Sequence, residues 1–213
     1  MAKIKSINCI RTRPGGMWTI VKVLTDQPGL YGIGSASDVN HPETVIQAIE
    51  TIKLTIIGRT VDQIEDIWQW VHASGYWRNG SILNTALGGI DEALWDIKGK
   101  VAGLPLYQLL GGKCRSAVPC YGHAGGSELP ELEDEVQWFI KKGYQVIRCQ
   151  LGRYGGGGFL LADQSPQPPW SVGWDVFDDE AYLEKIPQMF DYLRQKLGFG
   201  VKLTHDVNEH LRP

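Results

Sequence analysis

The stretch at residues 201–213, V-K-L-T-H-D-V-N-E-H-L-R-P, decides how the rest of the chain is read. Val201, Leu203 and Val207, with β-branched Thr204, form a short apolar run suited to a buried strand. The run breaks into His205, Asp206, Asn208, Glu209 and His210, so polar groups crowd its C-terminal end. In parallel α/β sheets and barrels that end is where ligands bind, because loops and side chains converge there. A lone D-x-N carries little weight, since Asp and Asn are also ordinary turn formers.

The preceding hundred or so residues supply the context. Residues 117–123 (A-V-P-C-Y-G-H), 144–151 (Y-Q-V-I-R-C-Q-L) and 201–206 read as strands, and residues 132–142 and 179–197 read as helices between them. Near-continuous apolar strands alternating with helices predict parallel pairing through right-handed crossovers. Each strand ends in chemistry: His123 on the first, Arg148 and Gln150 on the second, His205 and Asp206 on the third. A His, an Arg and an Asp are thereby expected on one rim. His205, next to Asp206, is expected on the opposite face of its strand.

Residues 152–178 form a Gly- and Pro-rich connection that carries Tyr154, the run Gly155 to Gly158, and Trp170. Connections this long in compact domains are usually lids or binding loops, or lack order. No G-K-[ST] follows the glycine run, so a phosphate-binding loop is a poor reading; a hinge that swings Tyr154 over the site fits better.

The first half is organised differently. Residues 3–12, 18–25 and 30–33 alternate or run apolar between Gly- and Pro-marked turns, which predicts an antiparallel meander. From Pro42 the period changes to that of helices, with Val45, Ile49, Ile52 and Ile56 on one face and Gly58 as the stop. A second helix begins at Asp62, and residues 81–101 carry the widest apolar stripe of the chain, with small residues that let another element approach. Asp91 and Asp96 on that helix are read as structural partners of Lys98. Ser35 to His41, which includes Asn40, reads as either a solvated turn or a substrate-touching loop, and the sequence leaves both open. Gly111-Gly112 marks a domain boundary, giving domains 1–112 and 113–213.

Composition excludes several classes. The 213 residues are 43% hydrophobic and 21% charged, with net charge −3 and no basic block, which argues against nucleic-acid or anionic-membrane partners. No uncharged apolar run approaches membrane-spanning length, and M-A-K-I-K-S lacks a signal-peptide core, so a cytoplasmic protein is expected. Cys9, Cys114, Cys120 and Cys149 match neither a zinc spacing nor a disulfide framework and are read as free thiols.

Taken together, I-E-D-I-W-Q, Y-W-R-N-G, G-I-D-E-A-L-W-D-I-K-G-K, G-L-P-L-Y-Q-L-L-G-G, I-R-C-Q and H-D-V resemble the enolase superfamily. Within its mandelate racemase/muconate lactonizing enzyme group, the nearest branch is that of mannonate dehydratase-like and galactonate dehydratase-related proteins. The resemblance implies an α+β capping domain followed by the first part of a modified (β/α)8 barrel, with three barrel strands present. It implies a Mg²⁺-dependent hydro-lyase that removes the proton beside the carboxylate of a small acid sugar of mannonate or gluconate type, with loss of water. It further implies Asp206 as a metal ligand, Tyr154 with Arg148 as the proton-abstracting dyad, Asn40 and His123 as substrate contacts, and a homo-oligomer.

Two departures from the family pattern bear on activity. Active members often carry His two residues after the metal Asp as general acid; Asn208 stands there, and an amide does not donate a proton at neutral pH. His210 is the nearest substitute. A divergent homologue of weak or no dehydratase activity is therefore the alternative, as is a non-catalytic truncated fragment. A (β/α)8 barrel takes about 250 residues by itself, so the chain is expected to be the N-terminal half of a longer protein, unable to catalyse the family reaction alone.

Overall fold

The computed structural model describes residues 1–12, 18–38, 41–152, 179–207 and 211. The chain divides into two compact units, Met1–Ser116 and Ala117–Pro213. That boundary lies beyond Gly111 and Gly112, both of which take positive φ.

Unit 1 contains the meander. Strands β1 (Ile4–Thr12), β2 (Trp18–Thr25) and β3 (Tyr31–Ser35) pair antiparallel in the order β1-β2-β3. Alternation along β2 puts Val21 and Val23 in the core, opposite Gly34 and Gly32 of β3. Helix α1 (Pro42–Ile56) starts on a proline, whose missing N–H costs nothing in a first turn, and buries Val45, Ile49, Ile52 and Ile56. Helix α2 (Ile64–Ser74) buries Ile64 and Ile67, and α3 (Ser81–Ala102) ends on Gly103 in the left-handed conformation. A short turn, α4 (Leu106–Leu109), follows.

α3 approaches the sheet at backbone distance. A Cβ on Gly32 would stand 1.8 Å from the Ala93 carbonyl oxygen, and one on Gly34 would stand 2.0 Å from that of Gly89. The structure corrects the expected partner of Asp96: Lys100, not Lys98, donates to it at 2.7 Å. Residues two apart on a helix face different ways, whereas those four apart share a face. Among the described residues, no helix is long and apolar enough to cross a membrane.

Unit 2 is a parallel sheet with helices between its strands. Its elements are β4 (Gly122–Gly126), α5 (Leu129–Lys141), β5 (Val146–Leu151), α6 (Asp179–Leu197) and β6 (Lys202–Thr204), with strand order β4-β5-β6. Both pairings are parallel, with His123 opposite Arg148 and Arg148 opposite Thr204. Ala124, Ile147 and Cys149 pack with Leu132 and Val136 of α5 and with Tyr182, Met189 and Leu193 of α6.

The first of these strands lies further along the chain than residues 117–123. Pro119 lacks a ladder donor, and the apolar run around it stays outside, with Val118 66% and Tyr121 51% exposed. G-H-A-G-G forms the strand because its glycines admit α5: a Cβ on Gly122 would meet Phe139 at 2.4 Å, and one on Gly126 would meet the Leu132 nitrogen at 2.6 Å. β6 likewise stops at Thr204, so Asp206 leaves the sheet just beyond its last paired residue.

Candidate functional site

The two faces of the parallel sheet differ in chemistry. Ile147 and Cys149 are fully buried against the helices, so Arg148 and Gln150, alternating with them, belong to the opposite face. His123 stands beside Arg148, and Gly125 beside Gln150. Asp206, two residues past Thr204, has the sidedness of Arg148 and meets it: Oδ2 lies 3.0 Å from Nη2 of the guanidinium. His123, Arg148 and Asp206 are therefore brought to one face.

Burial, then the neighbouring Arg148 guanidinium, push the His123 pKa below its ordinary value, and Glu135 and Asp206 pull the other way without reversing the shift. The imidazole is neutral at physiological pH and can accept a proton. Glu135 reaches the sheet itself, where its carboxylate accepts the Gly125 backbone N–H.

His205 turns to the other side, as its alternation with Asp206 predicts. Its Nδ1 lies 2.7 Å from the Cys149 carbonyl, which can only accept, so this nitrogen carries the proton. Nε2 therefore accepts from the Tyr182 hydroxyl at 2.7 Å. Both ring nitrogens are fixed to β5 and α6, and the backbone carrying Asp206 is fixed with them. No sequence pattern pointed to Tyr182.

Asp206 is a hard oxygen donor of the kind Mg²⁺ takes. It stands against a guanidinium, and among the described residues no three His, Cys, Asp or Glu side chains converge as a metal cluster. The described residues thus fit one ligand of a divalent cation and do not make a complete site. Tyr154, Asn40, Asn208 and His210 lie outside the described residues.

A cavity of about 640 Å³ lies in unit 1, lined by Ile33, Glu92, Asp96, Lys100 and Leu104. Its charged groups are committed to structure: Glu92 and Asp96 accept the Ser35 and Ile33 backbone N–H groups, and Lys100 donates to the Tyr31 carbonyl.

Comparison with known proteins agrees with this architecture. Residues 8–111 match the N-terminal domain of the mandelate racemase/muconate lactonizing enzyme family. A D-galactonate dehydratase family member of Paenibacillus sp. (strain JDR-2) is 61% identical, with 100% of this chain matching 53% of that protein. One from Musicola paradisiaca (strain Ech703) is 46% identical, with 99% of this chain matching 54% of it. The chain thus spans about half the length of the curated relatives it matches. Among solved structures, an enolase from Pantoea ananatis with bound D-gluconate and Mg is 44% identical. Its TM-score is 0.84, and the match covers 100% of this chain and 55% of that one. With an antiparallel meander and its helices in unit 1, and three parallel strands alternating with helices in unit 2, residues 8–111 carry the N-terminal domain of the mandelate racemase/muconate lactonizing enzyme family, and the chain as a whole is similar to about half the length of D-galactonate dehydratase family members.

Proposed function

We propose that the protein carrying this chain is a Mg²⁺-dependent hydro-lyase acting on a small acid sugar of mannonate or gluconate type. The observation that carries this reading is the convergence of His123, Arg148 and Asp206 on the ligand-facing side of the parallel sheet, with Arg148 and Asp206 in contact at 3.0 Å. The dehydratase-family relatives and the gluconate- and Mg-bound Pantoea enolase support it.

Removal of a proton beside a carboxylate leaves charge on its oxygens, and a bound divalent cation would supply the compensation. Asp206 would give that cation one oxygen ligand. Arg148 would lower the pKa of Tyr154 toward that of a usable base, since a nearby guanidinium favours phenolate. Neutral His123 and Asn40 would hold the substrate's hydroxyl groups. The acid that releases water would be His210 in place of the His that Asn208 replaces. A soluble cytoplasmic homo-oligomer with no nucleic-acid or membrane partner completes the reading.

The test is a panel of acid sugars, among them mannonate, gluconate and galactonate, offered with Mg²⁺ to the purified full gene product, with formation of a 2-oxo-3-deoxy acid as the readout. Turnover of at least one, abolished by a chelator, is expected. Binding without turnover would favour a divergent, weakly active homologue, a reading that Asn208 supports. Loss of both binding and turnover across the panel would overturn the proposal.

A further inference from the structure

Two polar atoms of β5, on the face opposite its helices, stand out among the described residues. Nε of Arg148 and Oε1 of Gln150 are buried and have no hydrogen-bond partner among the described residues. A buried polar group without a partner bears its full desolvation cost, and native proteins keep few of them. Here a donor and an acceptor occur together, on alternate residues of one strand and so roughly 6.6 Å apart along it. Beside Gln150 the next strand carries Gly125, where an added Cβ would touch only the Gln150 carbonyl at 3.7 Å and Glu135 at 3.8 Å. Among the described residues, no side chain other than Glu135 approaches that position.

We propose that Gln150 is a substrate-reading residue, its amide binding a hydroxyl of a polyhydroxylated carboxylic acid while Arg148 engages a neighbouring oxygen of the same ligand. This rests on the acid-sugar reading above and adds a residue to it. The ligand class follows from the donor and acceptor pattern. A carboxylate satisfies Arg148 but has no proton for Oε1. An ammonium group could serve Oε1 but is repelled by the guanidinium. A hydroxyl both donates and accepts, and it serves Gln150 with its amide in either orientation. Oε1 is closed to solvent in this arrangement, so ligand entry turns the amide about its side-chain torsions, and the unmet acceptor favours that turn.

The experiment compares the full gene product with its Gln150→Met variant, measuring dissociation constants for gluconate, mannonate and a series of their monodeoxy acids, and thermal midpoints for both proteins. The expected result is a midpoint equal to or above that of the unaltered protein, because an orphaned acceptor has been removed. Affinity for the polyhydroxy acid should fall about tenfold, with no such fall for the monodeoxy acid that lacks the hydroxyl being read. Equal affinities in the two proteins would overturn the inference and leave the dehydratase reading standing. A lowered midpoint with the same loss for every ligand would assign Gln150 to packing and also overturn it. If the unaltered protein binds none of the acids, the dehydratase reading falls and the inference falls with it.

Discussion

Asp206 Oδ2 lies 3.0 Å from Nη2 of Arg148, and the two side chains differ in exposure, with Arg148 at 18% and Asp206 at 46%. The half-open carboxylate keeps contact with solvent while its partner is held in the sheet. A pair this exposed contributes about 1 kcal/mol at most to stability. Asp206→Asn retains an oxygen that accepts from Arg148, so the folding midpoint should move little. Divalent-cation affinity should fall at least tenfold, because a charged oxygen ligand is lost. Calorimetric Mg²⁺ titration of the full gene product, read beside its urea midpoint, checks both halves of this expectation.

His123 makes the stability of unit 2 depend on pH. Burial first, and then Arg148, hold its pKa below the ordinary 6.5, so near that pH the unfolded chain binds more protons than the folded one. Stability then rises with pH between the lowered value and 6.5, and is lost as pH falls through that window. Urea midpoints at about pH 5 and about pH 7.5 should differ more in the unaltered protein than in His123→Gln, which has no imidazole to titrate there.

Tyr182 is 1% exposed, and its hydroxyl donates to His205 at 2.7 Å. Tyr182→Phe keeps the ring and removes that donor, at an expected loss of about 1–2 kcal/mol in urea denaturation. The ring's other bond, from Nδ1 to the Cys149 carbonyl, remains, so the fold should persist while the ¹⁵N shift of His205 Nε2 moves.

Thiol chemistry should separate Cys149 from Cys114 and Cys120. Cys149 is fully buried, and burial raises its pKa to about 11, while Cys114 and Cys120 are exposed. Thiolate is the reactive form. A disulfide reagent at about pH 8 should therefore label Cys114 and Cys120 rapidly and Cys149 only after denaturation.

How far the sequence could be read depended on whether a feature is local. α6 was legible at both ends, residues 179 and 197, because a helix writes its period into its own residues. β4 was not. G-H-A-G-G has no β-branched residue, and it is a strand because Phe139 and Leu132 of α5 require the missing Cβ atoms. The rim was legible through His123, Arg148 and Asp206, each placed by its position on or just after a strand. The Arg148 contact with Asp206 was not, since it joins side chains that lie far apart in the sequence. The unmet Oε1 of Gln150 was equally invisible, because an unmet hydrogen bond exists only in three dimensions.

In unit 1, α3 and β3 fit by matched spacing. Glu92, Asp96 and Lys100 follow each other at four-residue steps, about 6 Å apart along a helix. They bond Ser35, Ile33 and Tyr31, which are two-residue steps of about 6.8 Å along a strand. The outer edge of β3 is thereby occupied by side chains, which removes it as a template for another strand. Contact at this distance requires Gly32, where a Cβ would stand 1.8 Å from the Ala93 oxygen. Gly32→Ala must therefore push α3 away and break all three bonds, costing about 3 kcal/mol and promoting aggregation. Gly88, on the same helix, has nothing within 4 Å of an added Cβ, so Gly88→Ala should stabilise by about 0.5–1 kcal/mol through helix propensity alone. Urea denaturation of both variants, with hydrogen exchange at the Ile33 and Ser35 amides, tests the relation: protection should be lost in the first and kept in the second. Similar behaviour of the two variants would mean that the helix does not depend on the strand's glycines for its position.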